Sequence, residues 1–327
     1  MPSSLGSASV TSTRASRALF NLVSLGPGLI GLPMLLLAIF FGRNTVKRGA
    51  VYLNFIVSVT LLALAISLLP LAGQQSQLYP DSRSLCFVQT ALGDAALAMT
   101  PVSILALVLE LGIGLQRMRV PASTDTRAPG WTKMVTTIAF IILPYVAFTI
   151  FGLRDIMYFM RIESGYPDYD VLNPAFYCKL STVDPFIPLA ATEAPLVIFI
   201  AVMSCLTLLA EGYIAYMLWK QWKNLRTTSK DDCKPIPIGS LIRLTLFTLY
   251  RIAIVVVAIE VVREPRIFPI AEFFHGAIPF VVFVIFALQR DILLTWLGWI
   301  SVPWAYFRSR RSVKNMPVET PLQPEFK

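Results

Sequence analysis

Between residues 21 and 288 the chain alternates long apolar runs with short polar stretches. Seven runs stand out, at 21–41, 50–72, 85–115, 132–153, 188–219, 238–262 and 268–288. A hydrocarbon core ~30 Å thick needs about 20 residues of helix, and each run supplies that length. The runs are continuously apolar rather than alternating, which favours helices over a barrel. In lipid the backbone must satisfy its own hydrogen bonds, and a helix does so within one segment. The runs at 85–115 and 188–219 exceed the requirement and are expected to tilt or project beyond the bilayer. No internal repeat and no second domain is visible. The pattern predicts an all-α membrane protein, a seven-transmembrane helix bundle spanning 21–288.

Composition strengthens that reading. Of 327 residues, 56% are hydrophobic and 14% charged, against roughly 25% charged in a soluble domain. A soluble core in a chain of this length cannot absorb seven such segments. Residues 1–20 are rich in Ser, Thr and Ala and lack the short apolar core of a cleaved signal, so the first run is expected to act as a signal anchor. Residues 289–307 hold Trp, Ile and Leu among few charges and read as a helix lying on the membrane surface. Residues 308–327 are polar and Pro-containing, and read as a disordered tail.

Charge sets the orientation. One face, formed by 42–49, 116–131, 220–237 and the segment after 289 together with Lys133, carries 18 Lys and Arg. The opposite face carries 8, and the positive-inside rule makes the richer face cytoplasmic. The N-terminus is then extracellular and the C-terminus cytoplasmic, in a multi-pass protein of the plasma membrane. All six tryptophans (Trp131, Trp219, Trp222, Trp296, Trp299 and Trp304) fall at the inner helix ends, where amphipathic rings favour the headgroup level. The net charge of +9 then implies attraction to anionic lipid, with an acidic cytosolic partner as a further option and no nucleic acid.

This orientation sorts the cysteines. Cys86, at the start of run three, and Cys178, in the large outer loop, both face an oxidising compartment and are expected to pair. The alternative is two unpaired thiols. Cys205 reads as a small packing residue inside run five, and Cys233 as a loop thiol or a weak palmitoylation candidate.

Charges inside the runs need partners, because each costs a few kcal/mol near the bilayer centre. They are Asp94 and Glu110 in run three, Glu193 and Glu211 in run five, Arg243, Arg251 and Glu260 in run six, and Glu272 in run seven. His275, the single histidine, lies one turn after Glu272 on the same helical face. Depths counted from the outer helix ends, at ~1.5 Å per residue, suggest a pair between Asp94 and Arg251. A second, inner set comprises Glu110, Glu211 and Arg243, in which Arg243 answers one of the two acids. Structural bridges holding the bundle together and a ligand or switch role are equally compatible with these positions. Glu193 and Glu260 sit near helix ends and can reach solvent.

Enzymatic chemistry finds little support. One histidine cannot build the clusters of membrane di-iron enzymes or a zinc site, and no H-E-x-x-H, G-x-S-x-G or P-loop occurs. Every lysine lies outside the span interiors, Lys133 being at the mouth of run four, so none can anchor a Schiff base. The chain reads as neither an enzyme nor a light-driven pump, and no cofactor or metal is expected. Transport is the runner-up, since seven helices also serve small-solute or lipid facilitators built from two triplets. Loose proline correspondences between runs one to three and five to seven keep that option open.

Seven runs, an outer N-terminus, and a cysteine opening run three opposite one in the second outer loop resemble the plan of G-protein-coupled receptors. The stretch "LQRDILLTWLGWISVPW" is similar to the eighth, interfacial helix of such receptors. Departures are clear, however. Glu110 is in register with the acid at the inner end of span three, but Leu111 and Gly112 follow it, and neither N-P-x-x-Y nor Trp-x-Pro is present. The rhodopsin-like activation switch therefore does not carry over intact. A nearer resemblance is to the poorly characterised seven-span, receptor-like proteins of mushroom-forming fungi, through "AGQQ", "LCFVQTAL", "FYCKL", "VREPRIFP" and "FALQRDIL".

The preferred expectation is a receptor-like protein that senses an unknown extracellular ligand between the outer halves of runs three, five, six and seven, near Asp94, Arg251, Glu272 and His275. A two-state bundle would then move its cytoplasmic ends. Arg117, Arg119, Lys220, Lys223 and Arg226, followed by Lys230 and Lys234, would face a heterotrimeric G protein. Ordinary positive-inside charge accounts equally well for any one of these residues.

Overall fold

The computed structural model describes residues 18–41, 49–73, 83–117, 130–163, 169–172, 178–182, 189–227, 238–263, 273–289 and 291–298. In chain order the elements are α1 (Ala18–Phe41), α2 (Ala50–Leu71), α3 (Arg83–Arg117), α4 (Gly130–Glu163), β1 (Tyr169–Leu172), β2 (Lys179–Thr182), α5 (Leu189–Thr227), α6 (Ile238–Arg263), α7 (Phe273–Ala287) and α8 (Asp291–Gly298). The helical class expected from the pattern holds, with one addition. Strands β1 and β2 pair antiparallel, Tyr169 opposite Thr182 and Leu172 opposite Lys179, within the segment read from sequence as a plain loop.

By length and composition, α1 to α5 can each cross a membrane. α6 contains a shorter apolar stretch, Thr245–Val257, and α7 with α8 would make a sixth span if the pair were counted as one. The axes of α7 and α8 diverge by 85°. Helices α3 and α5, at 35 and 39 residues, are overlong as expected. Helix α4 is overlong too, at 34 residues, because nothing between Gly152 and Gly165 stops it.

The helices close into a ring. Each packs on the next, with Phe151 against Phe199 (ring centroids 5.0 Å apart) linking α4 to α5, and α7 returns to α1 and α2. Helix α3 runs through the middle, touching α2, α4, α5 and both strands. Helices α2 and α3 are mostly buried, whereas α4 and α5 present apolar residues such as Ile142, Ile150, Ile198 and Leu209 outward. Outward-facing apolar helices fit a lipid surround, where the outer face needs no polar cover. The main core joins Phe20, Leu35, Phe55, Ile56, Leu62, Ile214, Val282 and Ile292.

Local chemistry explains several irregularities. Helix α1 widens to a π segment, Gly26–Gly31, with Pro27 in its first turn and Pro33 just beyond it, and the Leu32 N–H reaches back to Pro27 O. Pro33 has no N–H for the α-helical acceptor at Leu29, so the ladder there cannot stay regular. A Cβ at Gly31 would lie 2.6 Å from the Phe283 ring, and one at Gly276 would collide with Phe20. Only glycine lets α1 and α7 approach so closely. Hydroxyls in the span interiors bond carbonyls of their own helix, as Ser67 does to Ala63 O at 2.6 Å and Thr100 to Ala96 O at 2.8 Å.

Candidate functional site

One end of the bundle is fastened by a covalent bridge. Cys86 in the opening turn of α3 and Cys178 just before β2 form a disulfide, with Cα atoms 5.4 Å apart, packed against Leu69 of α2. The expected pairing is the one found. One turn deeper lies Gln89, fully buried. Its Nε2 donates to Ile66 O at 2.9 Å, and its Oε1 accepts from the Cys178 N–H at 3.1 Å. Ile66 is the residue whose carbonyl would receive the backbone N–H of position 70 in a regular helix, and position 70 is proline. Gln89 thus fills the gap Pro70 leaves in α2 and holds the strand segment to α3 with the same amide.

Asp94 and Arg251 do not pair. Arg154 of α4 reaches Asp94 Oδ2 at 3.0 Å and Asp155 Oδ1 at 2.7 Å, and its guanidinium sits 5.2 Å from the Phe151 ring centroid. Asp155 is buried, while Asp94 and Arg154 are each about one-fifth exposed. The sequence reading ended run four at 153 and left Arg154 in an outer loop. Because α4 continues to Glu163, Arg154 remains on the helix and reaches Asp94 first.

Arg251 is bound instead by α5. Its Nη1 donates to Glu211 Oε1 at 3.0 Å and its Nη2 to Ser204 O at 2.9 Å, and Thr248 Oγ1 donates to Glu211 Oε2 at 2.8 Å. Both charged side chains are more than nine-tenths buried. Depths counted on runs three and six took no account of α5, which supplies the partner. Measured from their shared connection, Arg251 lies 13 residues into α6 and Glu211 lies 16 residues before the end of α5. At ~1.5 Å per residue these are nearly one level.

Of the inner set of Glu110, Glu211 and Arg243, the structure describes the surroundings of the two acids only. Glu211 belongs to Arg251, and the Glu110 carboxylate lies against Gly49, with Oε1 3.0 Å from where a Cβ would be. Gly49 caps the N-terminus of α2, whose helix dipole favours a negative charge. The side chain of Arg243 is outside the described residues, as are those of Arg117, Lys223 and Arg226. Arg119, Lys230, Lys234 and Glu272 also lie outside them. Lys220 is exposed in the C-terminal part of α5.

Between α3, α5, α6 and α7 lies a cavity of about 40 Å³. Leu97, Pro101, Ile104, Ile200, Ile254 and Ile278 give it an apolar wall, and Thr100, Ser204, Arg251 and His275 supply the polar groups. Of the four proposed ligand residues, Arg251 and His275 meet here, while Asp94 belongs to the α3–α4 pair. Beside the cavity, the Tyr250 hydroxyl donates to Phe274 O at 2.5 Å and ties α6 to α7. Among the described residues no group of three or more His, Cys, Asp or Glu is placed to hold a metal.

No protein-family model matches the sequence, and no curated protein matches it. The functional reading rests on the geometry above.

Proposed function

We propose that the chain is a seven-span, receptor-like protein of the plasma membrane, akin to those of mushroom-forming fungi. In this reading its N-terminus is extracellular, and a small extracellular ligand is sensed within the bundle. The observation that carries the proposal is the double membership of Arg251. It lines the cavity between α3, α5, α6 and α7, and it is also the cation that binds α6 to α5 through Glu211 and Ser204. A ligand entering the cavity therefore bears directly on the tie between two helices. The binding free energy it gains in one arrangement of α5 and α6 over another sets how far the population moves.

Three further features support the reading. The ring of helices with α3 at its centre suits a two-state bundle, and this reading takes α6 and α7 as spans six and seven beside the five helices long and apolar enough to cross a membrane. The disulfide and Gln89 hold the outer segment to α3. The axes of α7 and α8 diverge by 85°, and Leu293, Leu294 and Leu297 are exposed on α8, which supports reading α8 as a helix lying on the inner membrane surface. Lys220 and the neighbouring basic positions then face the cytosol and a heterotrimeric G protein. The test is ligand-stimulated nucleotide exchange on a fungal Gα by the reconstituted protein.

A further inference from the structure

The cavity is small, mostly apolar and already charge-balanced, and these three properties together narrow what it can take. We infer that its ligand enters with a compact, electrically neutral head bearing a hydrogen-bond acceptor, a ketone-type carbonyl or a hydroxyl, rather than a carboxylate or an amine. This rests on reading the cavity as the ligand site.

Size comes first. A cavity of about 40 Å³ has room for about three water-sized groups, at roughly 10–15 Å³ each. Six of the ten lining residues are Leu, Ile or Pro, so most of the contact is with hydrocarbon. The polar groups converge from four helices: Thr100, Ser204, Arg251 and His275.

Charge decides the head. A guanidinium carries five N–H donors. Among the described residues, those of Arg251 meet one carboxylate oxygen of Glu211 and the Ser204 carbonyl, which leaves donors for an acceptor in the cavity. Its positive charge, however, is already answered by Glu211, itself held by Thr248. A carboxylate would add an unbalanced negative charge in a region of low dielectric and would crowd Glu211. An ammonium would meet the guanidinium as a like charge. A neutral carbonyl accepts an N–H and leaves the balance unchanged.

The experiment uses the full chain in lipid nanodiscs and ligand-observed saturation-transfer NMR. The probes are 2-butanone, butan-2-ol and propanoate, the last matching 2-butanone in shape but charged. Empty nanodiscs subtract partition into lipid. The expected result is saturable binding of 2-butanone and butan-2-ol, at least about tenfold tighter than propanoate, as an unbalanced buried charge requires. Ile200→Phe, which fills the cavity, should abolish it. Arg251→Met combined with Glu211→Gln, which removes donor and counter-charge together, should weaken it while the protein stays folded. Propanoate binding as tightly as 2-butanone would overturn the inference, as would a 2-butanone signal unchanged in both variants. Binding without Gα exchange upholds the cavity assignment and removes the receptor reading. Exchange evoked by a ligand indifferent to Ile200→Phe removes the cavity assignment alone.

Discussion

The guanidinium of Arg251 and the carboxylate of Glu211 meet at 3.0 Å across α5 and α6, in a part of the bundle with almost no solvent contact. Removing either partner strands the other charge, at a cost of about 3–5 kcal/mol, whereas removing both is far milder. Arg251→Met and Glu211→Gln alone should therefore each lower the thermal unfolding midpoint strongly in nanodiscs. The double variant Arg251→Met with Glu211→Gln should recover most of the loss. A double variant no more stable than the worse single would show that the two do not act as a pair.

The α3–α4 tie makes a separate prediction. In a double-mutant cycle, Asp94→Ala and Arg154→Ala should couple by about 0.5–3 kcal/mol. Asp94→Ala and Arg251→Ala should add within about 0.5 kcal/mol, because they share no partner. Urea or thermal unfolding of the three single and two double variants separates the two outcomes.

How much of this was legible beforehand depends on what each feature requires. Runs 21–41 and 50–72 agree with α1 and α2 to within a few residues, because helix ends there coincide with the ends of hydrophobicity. The cysteine pair followed from compartment alone. Arg154 was misplaced because run four was ended at the charged pair Arg154 and Asp155, although apolar residues resume at Ile156 and no glycine or proline stops the helix there. Two more turns of helix carry Arg154, Asp155 and Phe159, and Phe159 stacks on Phe87 of α3 at 3.9 Å between centroids. The role of Gln89 was hidden for a different reason. It needs the register between α2 and α3 as well as the proline, and only the proline is visible in one sequence. Arg251 and His275 both line the cavity, but which acid answers Arg251 depends on the register between α5 and α6.

Gln89 offers a test of proline compensation. Gln89→Leu leaves both Ile66 O and the Cys178 N–H without their partner, and should cost about 1–3 kcal/mol for each group stranded. Pro70→Ala restores a backbone N–H for Ile66 O. The loss on Gln89→Leu should therefore be smaller in the Pro70→Ala background, by roughly the share of one hydrogen bond. Equal losses in both backgrounds would mean that Gln89 does not substitute for the missing donor.

The Cys86–Cys178 bridge closes a loop across a sequence separation of 92 residues. Its removal should cost about 2–4 kcal/mol, and Cys86→Ser, Cys178→Ser and the double variant should be nearly equal. Peptide mapping without reduction should find the two cysteines in one linked pair. A double variant clearly less stable than either single would argue that the thiols contribute separately.

The claim that a ligand in the bundle acts on a cytosolic partner is tested most directly by one side-by-side measurement. Proteoliposomes carrying the chain are assayed for nucleotide exchange on a fungal Gα and, in the same preparation, for solute flux. A receptor accelerates exchange on addition of a cavity ligand, loses that response with Ile200→Phe, and moves no solute. Flux without acceleration of exchange on any Gα would contradict the account and would make the chain a facilitator.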